Sequence, residues 1–575
     1  MCAAPVPEPS APSGYYEDAF VLKLNAPANG RIYYTTDGSK PTTDATLYTD
    51  GIRIQNRSQE PNVYTSIQNV VTDWKAFTPD PTPVDKGTVI RAVYVNSWGI
   101  HSEPLTQTYF VGIPEPQSGY TLSIIFEYDD LFGEDGIYVT GKEYDTWYLS
   151  GAQTQPAPTP NFNKRMEVTA IAEMLDTDEE VLNQPVELRI QGSSMRGWIK
   201  KRFILESKTA LSNSSTFPAA IFEGVTTRSV MTKECPTDAM AFELVSDRAV
   251  STQKSVPVRV FLNGEHWYDT YFLERYDKQY FREYYNVDDV LLVKNGQPDE
   301  DVIEDRDSYG EFMYWAGHTD FSDEAQWEQL QKEMDVQSYI DYIVTNYYLC
   351  NWDFSDDKNY LVWRSLNEGD APCEDKRWRW CIYDVDSLEL TLGNYDVENA
   401  AEVNIFSCDL PYSNVRVNET TLFRALSQNM EFRQQFVLSF MDIVNNNFSV
   451  SRVEPILRSH GLTLDWMDGY FLKRPAYAAQ HLAEEFQLSG SLEAVTIISD
   501  HPEMGDVIVN TSRVDLSSGS WSGQYFTDYA ITVSAVAKEG YQFVGWKGDA
   551  DTAEKTLSLS VDGGITLEAV FEKEK

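Results

Sequence analysis

Long apolar runs are missing from this chain. No stretch approaches the roughly 18 apolar residues that a membrane-spanning helix needs. Basic residues are scarce: 46 Lys and Arg stand against 89 Asp and Glu, a net charge of −43. A general nucleic-acid binder needs a basic footprint, and so does a surface drawn to anionic lipid, so both classes fall behind. Histidine and cysteine are few, with 6 of each. They form no HxxxH pair and no CxxC, which argues against zinc held by closely spaced ligands. Cysteine is also too sparse for a disulfide scaffold. Cys373 and Cys381 have a spacing that one hairpin would bring together; two reduced thiols read equally well.

What is present is length. At roughly 100–200 residues per domain, 575 residues imply about three to five domains, and a hydrophobic content of 42 % is enough to build their cores. The opening Met-Cys-Ala-Ala-Pro-Val-Pro-Glu-Pro-Ser reads as the mature start of a bacterial lipoprotein. Cys2 would carry lipid and residues 1–13 would be a Pro-rich tether; an arbitrary boundary is the alternative.

Residues 14–113 alternate in short runs: Phe20–Leu24, Arg31–Thr36, Val89–Tyr94. Asp37-Gly38 and other turn residues separate them, the pattern of a β-sandwich. Ser13-Gly-Tyr-Tyr16, Ile32-Tyr-Tyr-Thr-Thr-Asp-Gly-Ser-Lys-Pro-Thr42 and Ile90-Arg-Ala-Val93 resemble the small sandwich named after the C-terminal domain of chitobiase. Residues 491–575 form a second all-β segment. Its Lys538-Glu-Gly-Tyr-Gln-Phe-Val-Gly-Trp546 and Ile565-Thr-Leu-Glu-Ala-Val-Phe571 resemble the divergent repeats of internalin-type surface proteins. Two such modules imply an extracellular or cell-surface bacterial protein, with cell wall or carbohydrate as accessory partners.

Residues 114–490 are mixed. Hairpin signals come first, and 3.6-residue spacing follows at Glu324–Lys332, Val336–Cys350, Glu419–Asn446, Val453–Ser459 and Ala476–Gln487. The expected architecture is therefore multidomain: a central α+β domain of two lobes flanked by all-β modules.

Three stretches of this middle segment carry candidate chemistry. Val186–Leu205 reads as a strand, a Gly-Ser turn, then a strand with Lys200, Lys201 and Arg202. Backbone N–H groups and lysines suit a phosphate; a solvated basic strand is the alternative. Tyr347–Tyr360 reads as a helix running into an acidic loop, with Asp353 a candidate base and Asn359 a candidate metal ligand. Arg377–Ser387 reads as a buried strand whose Asp384 and Asp386, two apart, point to the same side of an extended chain. Converging carboxylates need a counter-cation. A Mg²⁺-type ion with phosphate, a Ca²⁺ site and a hydrated strand end all remain open.

The same stretches resemble the spore coat protein H (CotH) kinases, atypical protein kinases. Leu188–Phe203, Val256–Trp267, Tyr271–Asp277, Asn351-Trp-Asp353 with Asn359, and Tyr383-Asp-Val-Asp386 follow that family's motifs in order. The resemblance implies transfer of the γ-phosphate of ATP, with Mg²⁺ or Mn²⁺, to protein Ser or Thr. It implies Asp353 as catalytic residue and Asp384, Asp386 and Asn359 as metal residues. Lys200, Lys201, Ser193, Ser194, Arg196 and Glu274 would bind the nucleotide. Gln191, Ser193 and Ile199 depart from the family pattern. The acidic surface suits basic, Ser-rich protein substrates. A non-catalytic adhesion or carbohydrate-binding scaffold is the competing reading, and a glycoside hydrolase ranks below both.

Overall fold

The computed structural model describes all residues except 1–3, 152–154, 178, 193, 235, 296, 299–307, 352, 355–357, 386–399, 408–415 and 575; of 194, 297 and 298 it describes the backbone alone. Ser193 and Asp386 therefore lie outside the described residues, as do Cys2, Cys235 and Cys408. Two compact units form: Met1–Cys235 with Lys254–Tyr284, and Pro236–Gln253 with Tyr285–Lys575.

In the first unit the alternating N-terminal runs become strands Gly14–Tyr16, Gly30–Thr35, Thr46–Leu47, Thr88–Asn96 and Leu105–Val111 of one sheet. Leu22, Ile32, Ile54, Ile90, Ala92 and Tyr109 form its core. The strand-rich stretch that follows closes into a seven-stranded barrel. Closure comes from Tyr120–Ile125, which pairs antiparallel with Glu167–Asp176 and parallel with Ser255–Leu262. The hairpin joining Ser255–Leu262 to Glu265–Glu274 turns at Asn263-Gly264, both at positive φ (45° and 87°). An Asn-Gly pair tolerates that two-residue turn. Residues 63–77 cross from the sandwich onto the barrel and place Tyr64 and Val70 in its core. Glu265, almost fully buried, holds this crossing by accepting the N–H groups of Val63, Tyr64 and Thr65 at 2.7–3.0 Å.

In the second unit the 3.6-residue spacing yields helices Glu324–Glu333, Val336–Tyr348, Val450–Ser459 and Arg474–Phe486. The expected helix Glu419–Asn446 is two helices, Thr421–Leu426 and Met430–Asn445. Asn429 breaks it by capping the second, its side chain accepting Phe432 N–H at 2.9 Å. Strands Gln297–Pro298, Val290–Lys294, Leu361–Ser365 and Arg379–Cys381 make a sheet in that order. Against it lies Val336–Tyr348, whose Ser338 hydroxyl accepts Trp380 N–H at 2.9 Å. Cys373 and Cys381 are free thiols. The C-terminal segment is a pair of four-stranded sheets. The architecture is thus an all-β N-terminal region, a mixed α/β centre and a β-rich C-terminal region. Among the described residues no helix is long and apolar enough to cross a membrane.

Candidate active site

The second unit assembles its candidate site at one end of the four-stranded sheet. Helix Val336–Tyr348 starts on Asp335, whose carboxylate accepts Ser338 N–H at 3.1 Å. Its far end is stopped by Cys350, which takes a left-handed φ of 56°. The buried Arg474 guanidinium holds that end, donating to the Tyr347 carbonyl at 2.9 Å. Asn351, fully buried, then folds back. Its Nδ2 donates to Asn346 Oδ1 at 2.8 Å and its Oδ1 accepts Asp353 N–H at 3.2 Å. The Asn351-to-Asp353 spacing therefore positions a carboxylate immediately beyond a helix end.

Asp353 receives two donors. Asn359 Nδ2 donates to its Oδ2 at 3.0 Å, and Lys358 Nζ donates to its Oδ1. Asn359 sits at a left-handed φ of 52° just before strand Leu361–Ser365. The register Lys294↔Leu361↔Cys381 puts the end of one strand, the start of the next and the end of the third in one row. Asn359 and Tyr383-Asp384 lie just past that row, at the same end of the sheet.

Asp384 is not on extended backbone. Its φ is 54°, so the side-by-side geometry expected for Asp384 and Asp386 on a strand does not apply. The strand stops at Cys381 and the chain turns at Asp384. Asp238, fully buried on helix Pro236–Leu244, fixes this turn, its Oδ1 accepting Val385 N–H at 2.9 Å. Asp238 carried no sequence signal. It lies 147 positions from Val385, and only a hydrophobic helix marks it. Lys294, at the end of its strand, donates to Tyr383 Oη and lies 4.4 Å from that ring's centroid.

The donors here are all oxygen: the Asp353 and Asp384 carboxylates, and the Asn359 amide oxygen, since its nitrogen faces Asp353. Hard divalent cations take such ligands. Among the described residues no three His, Cys, Asp or Glu side chains gather into a metal cluster, so the fit rests on the donor type.

The first unit holds the expected phosphate-side residues, and their placements differ. The strand after the turn begins at Arg202, so that Lys200 and Lys201, expected on the strand, precede it. Lys200 is exposed. Lys201 is fully buried, its Nζ donating to the Val70 and Trp198 carbonyls at 2.6 Å each. The same Nζ lies 4.2 Å from the Phe162 ring centroid and 5.0 Å from that of Tyr138. Burial pulls its pKa down to about 7. Arg196 is also engaged: Nε donates to the Gly192 carbonyl at 2.6 Å and Nη1 to the Phe162 carbonyl at 2.9 Å. Ser194 opens the short 3₁₀ turn Ser194–Gly197.

Glu274 is not beside Lys201. Register aligns Glu274 with Val230 and Leu205, four residues along the strand from Lys201, or roughly 13 Å. Its carboxylate accepts Lys254 N–H at 2.8 Å and the Tyr284 hydroxyl at 2.9 Å. Burial raises its pKa to about 7.

Comparison with known families matches this chain in three places. Residues 188–465 match the CotH kinase protein model, 9–109 the Fn3 associated model, and 510–575 the divergent InlB B-repeat domain. The CotH match includes barrel strands of the first unit and the Asp353 and Asp384 segments of the second. No curated protein matches the chain.

Proposed function

We propose that this CotH kinase domain is an atypical protein kinase, at the cell surface or outside the cell. It transfers the γ-phosphate of ATP to Ser or Thr of a protein substrate. The supporting observation is the Asp353–Asn359 pair at 3.0 Å, held at the sheet end that also carries Asp384. Asp353 takes the proton of the attacking hydroxyl. The new O–P bond forms as the bond to the β-phosphate oxygen breaks, and ADP leaves. Asp384 and Asn359, with Asp386, would hold Mg²⁺ or Mn²⁺, which supplies charge neutralisation to the phosphates. Asp238 keeps the Asp384 turn in place, and Asn351 aims Asp353. Lys200, Ser193, Ser194 and Arg196 bind nucleotide, as the family's order of motifs implies. Basic, Ser-rich proteins are the substrate class that suits a chain of net charge −43.

The competing reading is a non-catalytic surface scaffold carried by the Fn3-associated and InlB-type modules, with Cys2 as lipid anchor. The capture of Lys201 by main-chain carbonyls favours it. Radiolabelled γ-phosphate transfer with Mn²⁺ separates the two. Wild type should label a basic Ser peptide, while Asp353→Ala and Asp384→Ala should fall at least about 100-fold. Labelling that survives both substitutions defeats the site; no labelling and no nucleotide-induced rise in Tm leaves the scaffold.

A further inference from the structure

Two lysines that the motifs do not mark sit beside the candidate acids. Lys358 immediately precedes Asn359 and donates to Asp353 Oδ1. Lys294 ends strand Val290–Lys294 and donates to Tyr383, the residue before Asp384. They stand on neighbouring segments. Asn295, next to Lys294, donates its N–H to the Tyr360 carbonyl at 3.2 Å, and Asn295 Oδ1 accepts Tyr360 N–H at 3.2 Å. Tyr360 is two residues from Lys358. In a chain with almost two acids per base, two exposed ammonium groups thus meet at the one sheet end where Asp353, Asn359 and Asp384 gather.

Lys201 is a poor receiver for phosphate by comparison. It is buried, satisfied by two carbonyls and caged by two rings. Lys358 differs in each respect. Its side chain is 54 % exposed against 16 % for Asp353, and its four-carbon stem can rotate. With Asn359 on Oδ2 and Lys358 on Oδ1, each oxygen of Asp353 already accepts one hydrogen bond and keeps one lone pair for a hydroxyl proton. Asn359 rides on a fixed left-handed backbone, so Lys358 is the partner that can leave.

We infer that Lys294 and Lys358 are the cations that receive the polyphosphate of the substrate in this domain. Lys358 exchanges Asp353 Oδ1 for an oxygen of the transferring phosphoryl group and so clears Oδ1 of its ammonium partner for the hydroxyl proton. Lys294, beside Asp384, holds the phosphates that leave with ADP. This assignment rests on the kinase reading for its chemistry, but an anion site at these lysines is testable without it.

The experiment uses the full chain and the variants Lys294→Met, Lys358→Met, Lys358→Arg and the double Met variant. Two readouts are taken: steady-state transfer from ATP with Mn²⁺, and calorimetric binding of inorganic tripolyphosphate at low salt. Lys358→Met should lower kcat about 100-fold with KM for ATP within threefold, and Lys358→Arg should recover at least tenfold of that loss. Lys294→Met should raise KM for ATP about tenfold with kcat within threefold. The double variant should bind tripolyphosphate at least tenfold more weakly. Wild-type transfer that persists within twofold in the double variant overturns the inference and leaves the kinase reading standing. A wild type that transfers nothing, yet binds tripolyphosphate through both lysines, overturns the kinase reading and supports the anion site. Equal tripolyphosphate affinity in wild type and double variant overturns the anion site.

Discussion

The Tyr525 hydroxyl of the InlB-type repeat donates to Asp442 Oδ1, in the last turn of helix Met430–Asn445, at 2.7 Å. Both groups are fully buried. Asp442 also accepts Asn510 Nδ2 at 2.9 Å, Thr511 N–H at 2.9 Å and Thr511 Oγ1 at 2.6 Å. Arg248 bridges the same turn to Asp341 on helix Val336–Tyr348, at 2.8 Å to Oδ1. The repeat is therefore keyed into helix Met430–Asn445 and, through Arg248, into helix Val336–Tyr348, just beyond whose end Asn351 and Asp353 lie.

Removing Asp442 should uncouple the two. Asp442→Ala leaves four donors without their acceptor and removes one of the carboxylates around Arg248, which keeps Asp341, so a loss of about 3–5 kcal/mol is expected. Tyr525→Phe removes one of the four bonds and should cost about 1 kcal/mol. Urea unfolding of the full chain measures both. A loss under about 1 kcal/mol for Asp442→Ala would show that the contact is passive.

Glu173 gives the first unit a pH dependence. It is fully buried, accepting the Ser13 hydroxyl and Thr108 N–H from the sandwich. Burial raises its pKa from 4.5 to about 7, against the lowering effect of those two donors. The folded state therefore keeps a proton that the unfolded chain loses. Stability conferred by the protonated form is complete below pH 4.5, falls as pH rises to about 7 and stays low above it. Glu173→Gln keeps both hydrogen bonds and needs no proton. It should match wild type near pH 4.5 and exceed it by about 3 kcal/mol at pH 8. Melting curves at the two pH values test this; an equal difference at both would assign the effect elsewhere.

Asp238 supports the site without a place in any motif. Its bond to Val385 N–H holds the backbone on which Asp384 turns. Asp238→Ala should weaken the metal dependence of transfer by about 10–100-fold, the usual effect of losing an outer-shell partner. Asp238→Asn retains an acceptor oxygen and should keep most activity. Titration of Mn²⁺ in the transfer assay reads the difference. Unchanged half-saturation in the Ala variant would remove Asp238 from the site.

Local pattern carried the elements well. The helix Val336–Tyr348 and the strands Thr88–Asn96 and Ile565–Lys573 lie where the sequence pattern puts them; the last alternates in burial, while the first two are buried almost throughout. Asn351, Asp353 and Asn359 stand close together in the sequence, and the structure brings both asparagine side chains to Asp353. What stayed hidden depends on the tertiary fold. Nothing local tells Lys200 from Lys201, because the turn before the strand decides which one is buried. The left-handed backbone at Asp384 has no residue signal, unlike Asn263-Gly264. Asp238, Lys294 and Asp442 act across long separations, which no spacing rule reaches.

Lys201 makes a second pH prediction, opposite in slope to that of Glu173. Its ordinary pKa of 10.5 falls to about 7 because burial disfavours the ammonium, and no carboxylate opposes it. Below about pH 7 both folded and unfolded chains carry the proton, and the folded chain bears the full cost of a buried charge. Between about 7 and 10.5 folding releases that proton, so stability rises with pH through this window and levels off above it. A neutral amine still donates to the Val70 and Trp198 carbonyls, which Lys201→Met cannot do at any pH. The lost hydrogen bonds are thus a nearly constant offset. The stability of wild type relative to Lys201→Met should grow on the order of 4 kcal/mol from pH 7 to pH 10.5. Paired denaturant titrations across that range test it. Parallel curves would mean that Lys201 keeps an ordinary pKa and is open to solvent or ligand, which would return it to the nucleotide-binding residues.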